Sequence, residues 1–208
     1  MNSELPKQFM SVNGTEIIIR CIKRFLAFDP NIKIIIALHS NYMTLMNSLI
    51  EKNSLNGIVL CEGGLTRFHS VQNALSFIHD TDSIVGIHDA ARPFVSLATI
   101  QNCYSSAAAH GSGIPIVPVN ETLRRIQDDD SVTVDRSQFR VVQTPQCFQT
   151  ALIKEAFAKT QHSNFTDDAS VLEATGRKIV LVSGNPENIK ITYPMDLFVA
   201  KSLCDAEQ

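Results

Sequence analysis

A chain of 208 residues, 44% hydrophobic and 19% charged, carries enough apolar surface for one sizeable core or at most two small ones, which excludes an intrinsically disordered protein. Its net charge of −3 excludes a general basic field for nucleic acid, so any phosphate must be met by local cations. Five scattered cysteines (Cys21, Cys61, Cys103, Cys147, Cys204) show no paired metal spacing, no apolar run reaches membrane-spanning length, and Met1-Asn2-Ser3-Glu4 does not read as a signal peptide, so a reducing, cytoplasmic setting is expected.

In chain order, Leu5-Pro6-Lys7-Gln8-Phe9-Met10 leads to a turn at Val12-Asn13-Gly14. Thr15 can cap a helix with Ile18, Ile22, Phe25 and Leu26 on one face, stopped by Asp29-Pro30. Ile32 to Leu38 is a β-branched run that fits a strand buried on both faces. Met43 to Lys52 reads as a helix and Gly57 to Cys61 as an apolar strand ending at Glu62-Gly63-Gly64. A helix from Arg67 to Ile78 turns Val71, Leu75 and Ile78 inward. Ser83 to Ile87 reads as a buried parallel strand, followed by His88-Asp89-Ala90-Ala91-Arg92-Pro93 and a helix from Leu97 to Ala109. This alternation predicts an α/β fold, a doubly wound, mostly parallel Rossmann-like sheet in a single domain over residues 1–208.

The rhythm breaks after Ile114 to Val119. Thr122 to Ile126 and Val132 to Arg136 alternate around the polar tip Gln127 to Ser131, a hairpin signal. A hairpin projecting from an α/β core has little core of its own. Residues 118–146 are therefore expected to include a protruding β-hairpin arm that packs against a second subunit, the alternative being a hairpin folded back on its own sheet. Helices then follow over Thr150 to Lys159 and Asp167 to Ala174. A strand over Lys178 to Val182, a short extended piece over Asn188 to Thr192 and a last helix over Pro194 to Leu203 complete the chain.

Ligands bind at the carboxyl ends of strands in open α/β sheets, and two such ends stand out. After the Ser83–Ile87 run, Asp89 can accept from sugar hydroxyls or hold water on a metal, and Arg92 can fork onto a phosphate. The same two residues could equally form a local pair capping the next helix. At Gly63-Gly64, glycines allow close backbone approach, and Ser70 lies in the helix that follows. Lys7 is a candidate phosphate ligand or a plain solubilising charge, and Lys190 points toward a cleft or toward solvent. Thr144, beside Pro145, could donate to a phosphate, and Thr166 or Asp167 caps the following helix. The six histidines show no metal-ligand spacing, and His88 is expected to satisfy local hydrogen bonds. Taken together, Lys7, Arg92, Arg136 and Lys190 with Ser70, Thr144 and Thr166 suit a doubly phosphorylated reaction centre, which needs positioning and charge neutralisation more than a covalent residue.

Pro6-Lys7-Gln8-Phe9, Gly63-Gly64 with Arg67 and Ser70-Val71, His88 to Pro93, Thr122, Val134-Asp135-Arg136, Gln143 to Gln146, Thr166 to Ala169 and Asn188 to Thr192 occur in an order that resembles the 2-C-methyl-D-erythritol 4-phosphate cytidylyltransferase family. The resemblance runs along essentially the whole chain. It implies a magnesium-dependent homodimer, with Mg2+ held mainly through the CTP phosphates. The phosphate of methylerythritol phosphate would attack the α-phosphorus of CTP, and pyrophosphate would leave. By position, it implies that Lys7 neutralises the triphosphate, that Gly64 and Ser70 read cytosine, and that Asp89 and Ala90 line the ribose and metal region. Arg136 from the neighbouring arm and Lys190 would clamp the incoming phosphate, with Arg92, Thr144 and Thr166 on the polyol-phosphate side.

Two departures accompany the resemblance. Leu65 stands where many members have an acid. The resemblance also implies that the chain starts after the family's apolar first strand and its glycine-rich loop, which wraps the triphosphate. The expectation is that the given sequence lacks upstream residues of the natural protein, the alternative being a form that has lost much of its CTP site. Ribitol-phosphate relatives share the motifs, so a ribitol 5-phosphate cytidylyltransferase is the near alternative. A non-catalytic nucleotide-binding or scaffold protein is the alternative that absence of the loop supports.

Overall fold

The computed structural model of the protein describes residues 5–160 and 164–206; the opening Met1–Glu4, read above as no signal peptide, lies outside them. Asn13 and Gly14, both at positive φ (48° and 75°), turn the chain between β1 (Ser11–Val12) and β2 (Thr15–Glu16). Thr15 is thus spent in the hairpin, paired with Val12, and does not cap the helix as expected. Glu16 occupies that position without a side-chain bond to the helix's free N–H groups, and α1 (Ile17–Phe28) buries Ile18, Ile22 and Phe25 on one face. The helix ends before Pro30, which cannot continue it.

The first half of the chain alternates as its apolar runs demand. β3 (Ile34–Leu38) is followed by α2 (Met43–Lys52), β4 (Ile58–Glu62) and α3 (Arg67–Ser76). β3 and β4 pair in parallel from Ile34↔Ile58 to Leu38↔Glu62. In β3 only Leu38 is buried, against the expectation of burial on both faces. Among the described residues β3 has a neighbouring strand on one side only, which leaves its flank accessible.

β5 (Ile84–Ile87), α4 (Leu97–His110) and β6 (Ser112–Pro118) come next, α4 closing on Gly111 at φ 92°. The chain then runs through β7 (Arg124–Gln127), β8 (Asp130–Thr133) and β9 (Arg140–Val142). It returns as β10 (Gln146–Gln149), α5 (Thr150–Lys159), α6 (Asp168–Glu173), β11 (Leu181–Ser183) and α7 (Pro194–Ala206). The second sheet has the order β11-β6-β10-β5, with β9 also on β6. β11 runs parallel to β6, whereas β10 is antiparallel to both β5 and β6. β5 therefore does not pair as the parallel strand expected, because the excursion through the hairpin reverses the chain before it enters the gap beside β5. Asn188 to Thr192 is extended but forms no ladder, and is tied to the core by Ile191 N–H donating to Ala91 O (2.9 Å).

The three largest apolar clusters among the described residues hold these layers. Phe68, Phe148, Ile153, Phe157 and Leu172 pack α3, α5 and α6 on the second sheet, Phe68 stacking on Phe157 at 4.6 Å between centroids. Ile18, Ile19, Ile22, Leu38, Met46 and Leu49 join α1 and α2 to β3. Val12, Ile17, Cys21, Phe94, Ile191 and Ala200 bind α7 and α1 to the loop after β5. Truncating a side chain as buried as Phe148 costs about 3–5 kcal/mol. The β7–β8 hairpin stands apart, since among the described residues its strands pair only with each other and β7 is exposed throughout. No helix among the described residues is long and apolar enough to cross a membrane.

Candidate active site

β5 delivers its carboxyl end into the turn from His88 to Pro93, closed by Arg92 N–H donating to Asp89 O (3.0 Å). Asp89 Oδ2 accepts from Arg92 Nε and from Lys190 Nζ, both at 3.1 Å. Arg92 Nη1 also donates to Asn188 O (2.9 Å). The extended piece carrying Asn188 and Lys190 is brought here by the Ile191–Ala91 bond. Burial alone would push the Asp89 carboxyl up, but Lys190 and Arg92 outweigh it and hold it below the usual carboxylate range. Asp89 is therefore ionised. Its pair with Arg92 forms, but it does not cap the next helix, whose start at Leu97 is capped by Ser96. Lys190, 43% exposed, turns its ammonium to the same Asp89 oxygen.

Lys7 lies on a short 3-10 turn, Lys7–Phe9, in the same field. Its ammonium is lowered by burial and then by repulsion from Lys190 and Arg92, with Asp89 and Asp196 pulling the other way. Three cations, Lys7, Arg92 and Lys190, against the two carboxylates Asp89 and Asp196 leave this corner positive, which favours an anion. Asp196 is occupied at the start of α7, where it accepts the N–H groups of Thr192 and Tyr193 at 2.7 Å.

A polar network fixes the corner from behind. Thr144 Oγ1 accepts Asp89 N–H (3.0 Å) and lies 3.0 Å from His88 Nδ1, while His88 Nε2 lies 3.0 Å from Arg92 O. Asn188 Nδ2 donates to Thr144 O (2.8 Å), and Gln143 Nε2 to Asn185 O (2.9 Å). Burial lowers His88 to about 4, so the ring is neutral at ordinary pH, and the Phe25 ring packs against it at 5.0 Å. His88 thus satisfies local hydrogen bonds, as expected. The adjoining Cys21 thiol faces Ala90 O at 3.5 Å and is pushed by burial up to about 12, which leaves it unreactive.

The second strand end is closed by its own hydroxyls. Ser70 Oγ accepts Gly64 N–H and donates to Thr66 O, each at 3.0 Å. A Cβ on Gly64 would sit 2.3 Å from His69 Cβ, so only glycine fits this bend. Leu65 at its tip is 98% exposed. The loop is braced by Arg67, which forks onto fully buried Asp168 at 2.9 and 2.5 Å. Burial works against the Arg67 charge, but Asp168 overrides it and raises the guanidinium. Gln146 Oε1 accepts the N–H groups of Asp168 and Ala169, and its Nε2 donates to Asp167 Oδ2 (2.8 Å). Asp167, not Thr166, caps α6 through Ser170 N–H (3.1 Å), which leaves exposed Thr166 uncommitted to the cap.

The chain therefore brings Lys7, Asp89, Arg92, Thr144 and Lys190 to one corner, and Gly64 and Ser70 together at the carboxyl end of β4. Exposed Arg136 is not brought in; it lies beyond β8 and donates to Asn120 O. Gln143, Gln146, Asp168 and Asn188 support the site without having been singled out for that role in the sequence. Their available signal was polarity within runs that must be buried, since a buried polar group needs a partner. No group of three or more His, Cys, Asp or Glu side chains able to cage a cation occurs among the described residues.

A family model described as 2-C-methyl-D-erythritol 4-phosphate cytidylyltransferase matches residues 1–205. The enzyme of that name from Phocaeicola vulgatus is 42% identical over 204 residues, covering 98% of this chain and 93% of its own. The crystal structure of 2-C-methyl-D-erythritol 4-phosphate cytidylyltransferase from Thermus thermophilus is 33% identical with a TM-score of 0.80, covering 96% of this chain and 94% of its own. That from Francisella tularensis is also 33% identical, with a TM-score of 0.82 and coverage of 96% and 93%.

Proposed function

This chain belongs to the 2-C-methyl-D-erythritol 4-phosphate cytidylyltransferase family, and on that premise we infer that it joins CTP to 2-C-methyl-D-erythritol 4-phosphate, releasing pyrophosphate, in non-mevalonate isoprenoid synthesis. An oxygen of the acceptor phosphate forms the new bond to the α-phosphorus. The bond from that phosphorus to the bridging oxygen breaks, and its electron pair leaves on pyrophosphate. No covalent residue is needed, because such transfers run on alignment and charge neutralisation. The observation that carries this reading is the positive corner in which Asp89 is gripped by Arg92 and Lys190, with Lys7 alongside.

In this reading Lys7 neutralises the triphosphate, and Gly64 and Ser70 read the cytosine edge through their tight bend. Asp89 and Ala90 line the ribose side. Lys190, Arg92 and Thr166 face the polyol phosphate, with Thr144 behind Asp89 on the same side. Arg136 reaches the site from the hairpin arm of a second copy, making the enzyme a homodimer; its exposure, and its bond to Asn120 O instead of to the Asp89 corner, support this. Magnesium is the fitting metal, since one carboxylate beside a triphosphate is a donor set it accepts. Asp89, which spends only Oδ2 on Arg92 and Lys190, would help hold it. When bound, it supplies charge neutralisation on the triphosphate oxygens. A cytoplasmic setting agrees with five cysteines that are all free.

The test is a product assay with CTP and each polyol phosphate. Pyrophosphate release with methylerythritol phosphate is expected. Preference for ribitol 5-phosphate, or CTP binding without any pyrophosphate, would overturn the assignment.

A further inference from the structure

We propose that His88 is a positioning residue that ties both ends of the Asp89–Arg92 turn and orients the Thr144 hydroxyl, removing Thr144 from the donors available to phosphate. Hydrogen-bond direction decides the matter. Arg92 O, 3.0 Å from His88 Nε2, is a carbonyl and can only accept. A neutral ring with its proton on Nδ1 would set two lone pairs against each other there, so the proton sits on Nε2. Nδ1 is then an acceptor, and the neighbour at 3.0 Å that can supply a proton is the Thr144 hydroxyl. Asp89 N–H already takes one lone pair of that hydroxyl at 3.0 Å. The Thr144 hydroxyl proton is therefore committed to His88, and its oxygen holds the backbone of Asp89.

This changes the role expected of Thr144 from sequence, donation to a phosphate. The hydroxyl instead transmits the ring's position to Asp89, while the ring's other nitrogen fixes the carbonyl of Arg92. The two residues that meet in the Asp89–Arg92 ion pair are thus held by opposite edges of one imidazole. Thr144 has no freedom to drift, since its own carbonyl is pinned by Asn188 Nδ2 at 2.8 Å. Burial supports the neutral ring, holding it at about 4. The inference rests on the cytidylyltransferase reading only for its kinetic readout.

Two measurements test it. Nitrogen-15 NMR of the histidines in the intact, ligand-free protein at neutral pH should show His88 neutral, with its proton on Nε2. A proton on Nδ1, or a doubly protonated ring, would overturn the proposal whether or not the protein turns over CTP. The second is a double-mutant cycle of His88→Phe and Thr144→Val on kcat/KM, since residues acting through one bond are not additive. The double variant should be no slower than the slower single variant, each single variant losing about 10-fold, the scale of one net hydrogen bond. Losses that multiply would overturn it. Silence of the unsubstituted protein in the product assay, with the NMR result as expected, would sink the functional reading and leave this one standing.

Discussion

At the end of β5, Asp89 is 14% exposed and held by two cations and a backbone bond to Thr144. On the hairpin, Ile126 is 74% exposed and β7 and β8 pair only with each other among the described residues. Both regions carry an arginine that the proposed reaction uses. Arg92 is aimed by the chain's own core, through Asn188 O and Asp89, whereas Arg136 is fastened to the base of its hairpin, at Asn120 O. A charged side chain is placed by what its backbone is buried against, and these two arginines mark the extremes. The corner is complete within one chain; the arm gains a comparable setting only from the second copy proposed above.

Arg92→Ala puts the greatest load on this contrast. It removes a phosphate clamp and leaves Asn188 O without its charged partner. An activity loss of about 100-fold or more is expected, with about 1–3 kcal/mol of stability, read from kcat/KM and urea unfolding together. A loss in only one of the two would separate aiming from packing. Arg136→Ala should lower kcat/KM by roughly 100-fold at an unchanged unfolding midpoint, because nothing buried depends on it. Mixing that variant with Lys190→Ala should restore turnover if the arm serves its partner's site. No recovery on mixing would return Arg136 to its own subunit.

Acid probes the buried side of the contrast. The folded ring of His88 binds a proton only near 4, while the unfolded ring binds one near 6.5. Over that window the unfolded chain carries the extra proton, so stability falls as the pH drops through it, by on the order of 3 kcal/mol. Asp89 adds to the loss only lower, as the pH falls through its depressed folded value. Unfolding midpoints that stay level between the two ends of the window would contradict the buried network. The smallest effect is expected at the arm tip: Ile126→Ser should change stability by less than about 0.5 kcal/mol. It should weaken self-association, as followed by analytical ultracentrifugation across concentration; an unaltered association would place the contact elsewhere on the arm.

Much of the fold was legible because burial imposes a period on the side chains. α2 and α5 begin and end where their apolar spacing placed them. The direction of β5 was not legible, because an apolar run fits either sense of pairing and the reversal is set by β10, far along the chain. Nor was the partial exposure of β3, which depends on the strand beside it and not on its own residues. In the site, the kinds of charge were readable but their meeting was not. Lys190 reaches Asp89 through a tertiary bond between Ile191 and Ala91. Asp168 read as part of a helix start, while its partner Arg67 lies 101 positions away. The imidazole of His88 announced a local role without saying that it spans the whole turn.

Lys190→Met isolates the charge on which the proposed reaction depends, because it keeps the carbon stem and removes only the ammonium that meets Asp89. Lys190 is 43% exposed, so the fold should be indifferent to the change. With CTP and methylerythritol phosphate, kcat/KM should fall about 100-fold at an unchanged unfolding midpoint. Turnover equal to that of the unsubstituted protein would mean that the cations at this corner are not where the two phosphates meet.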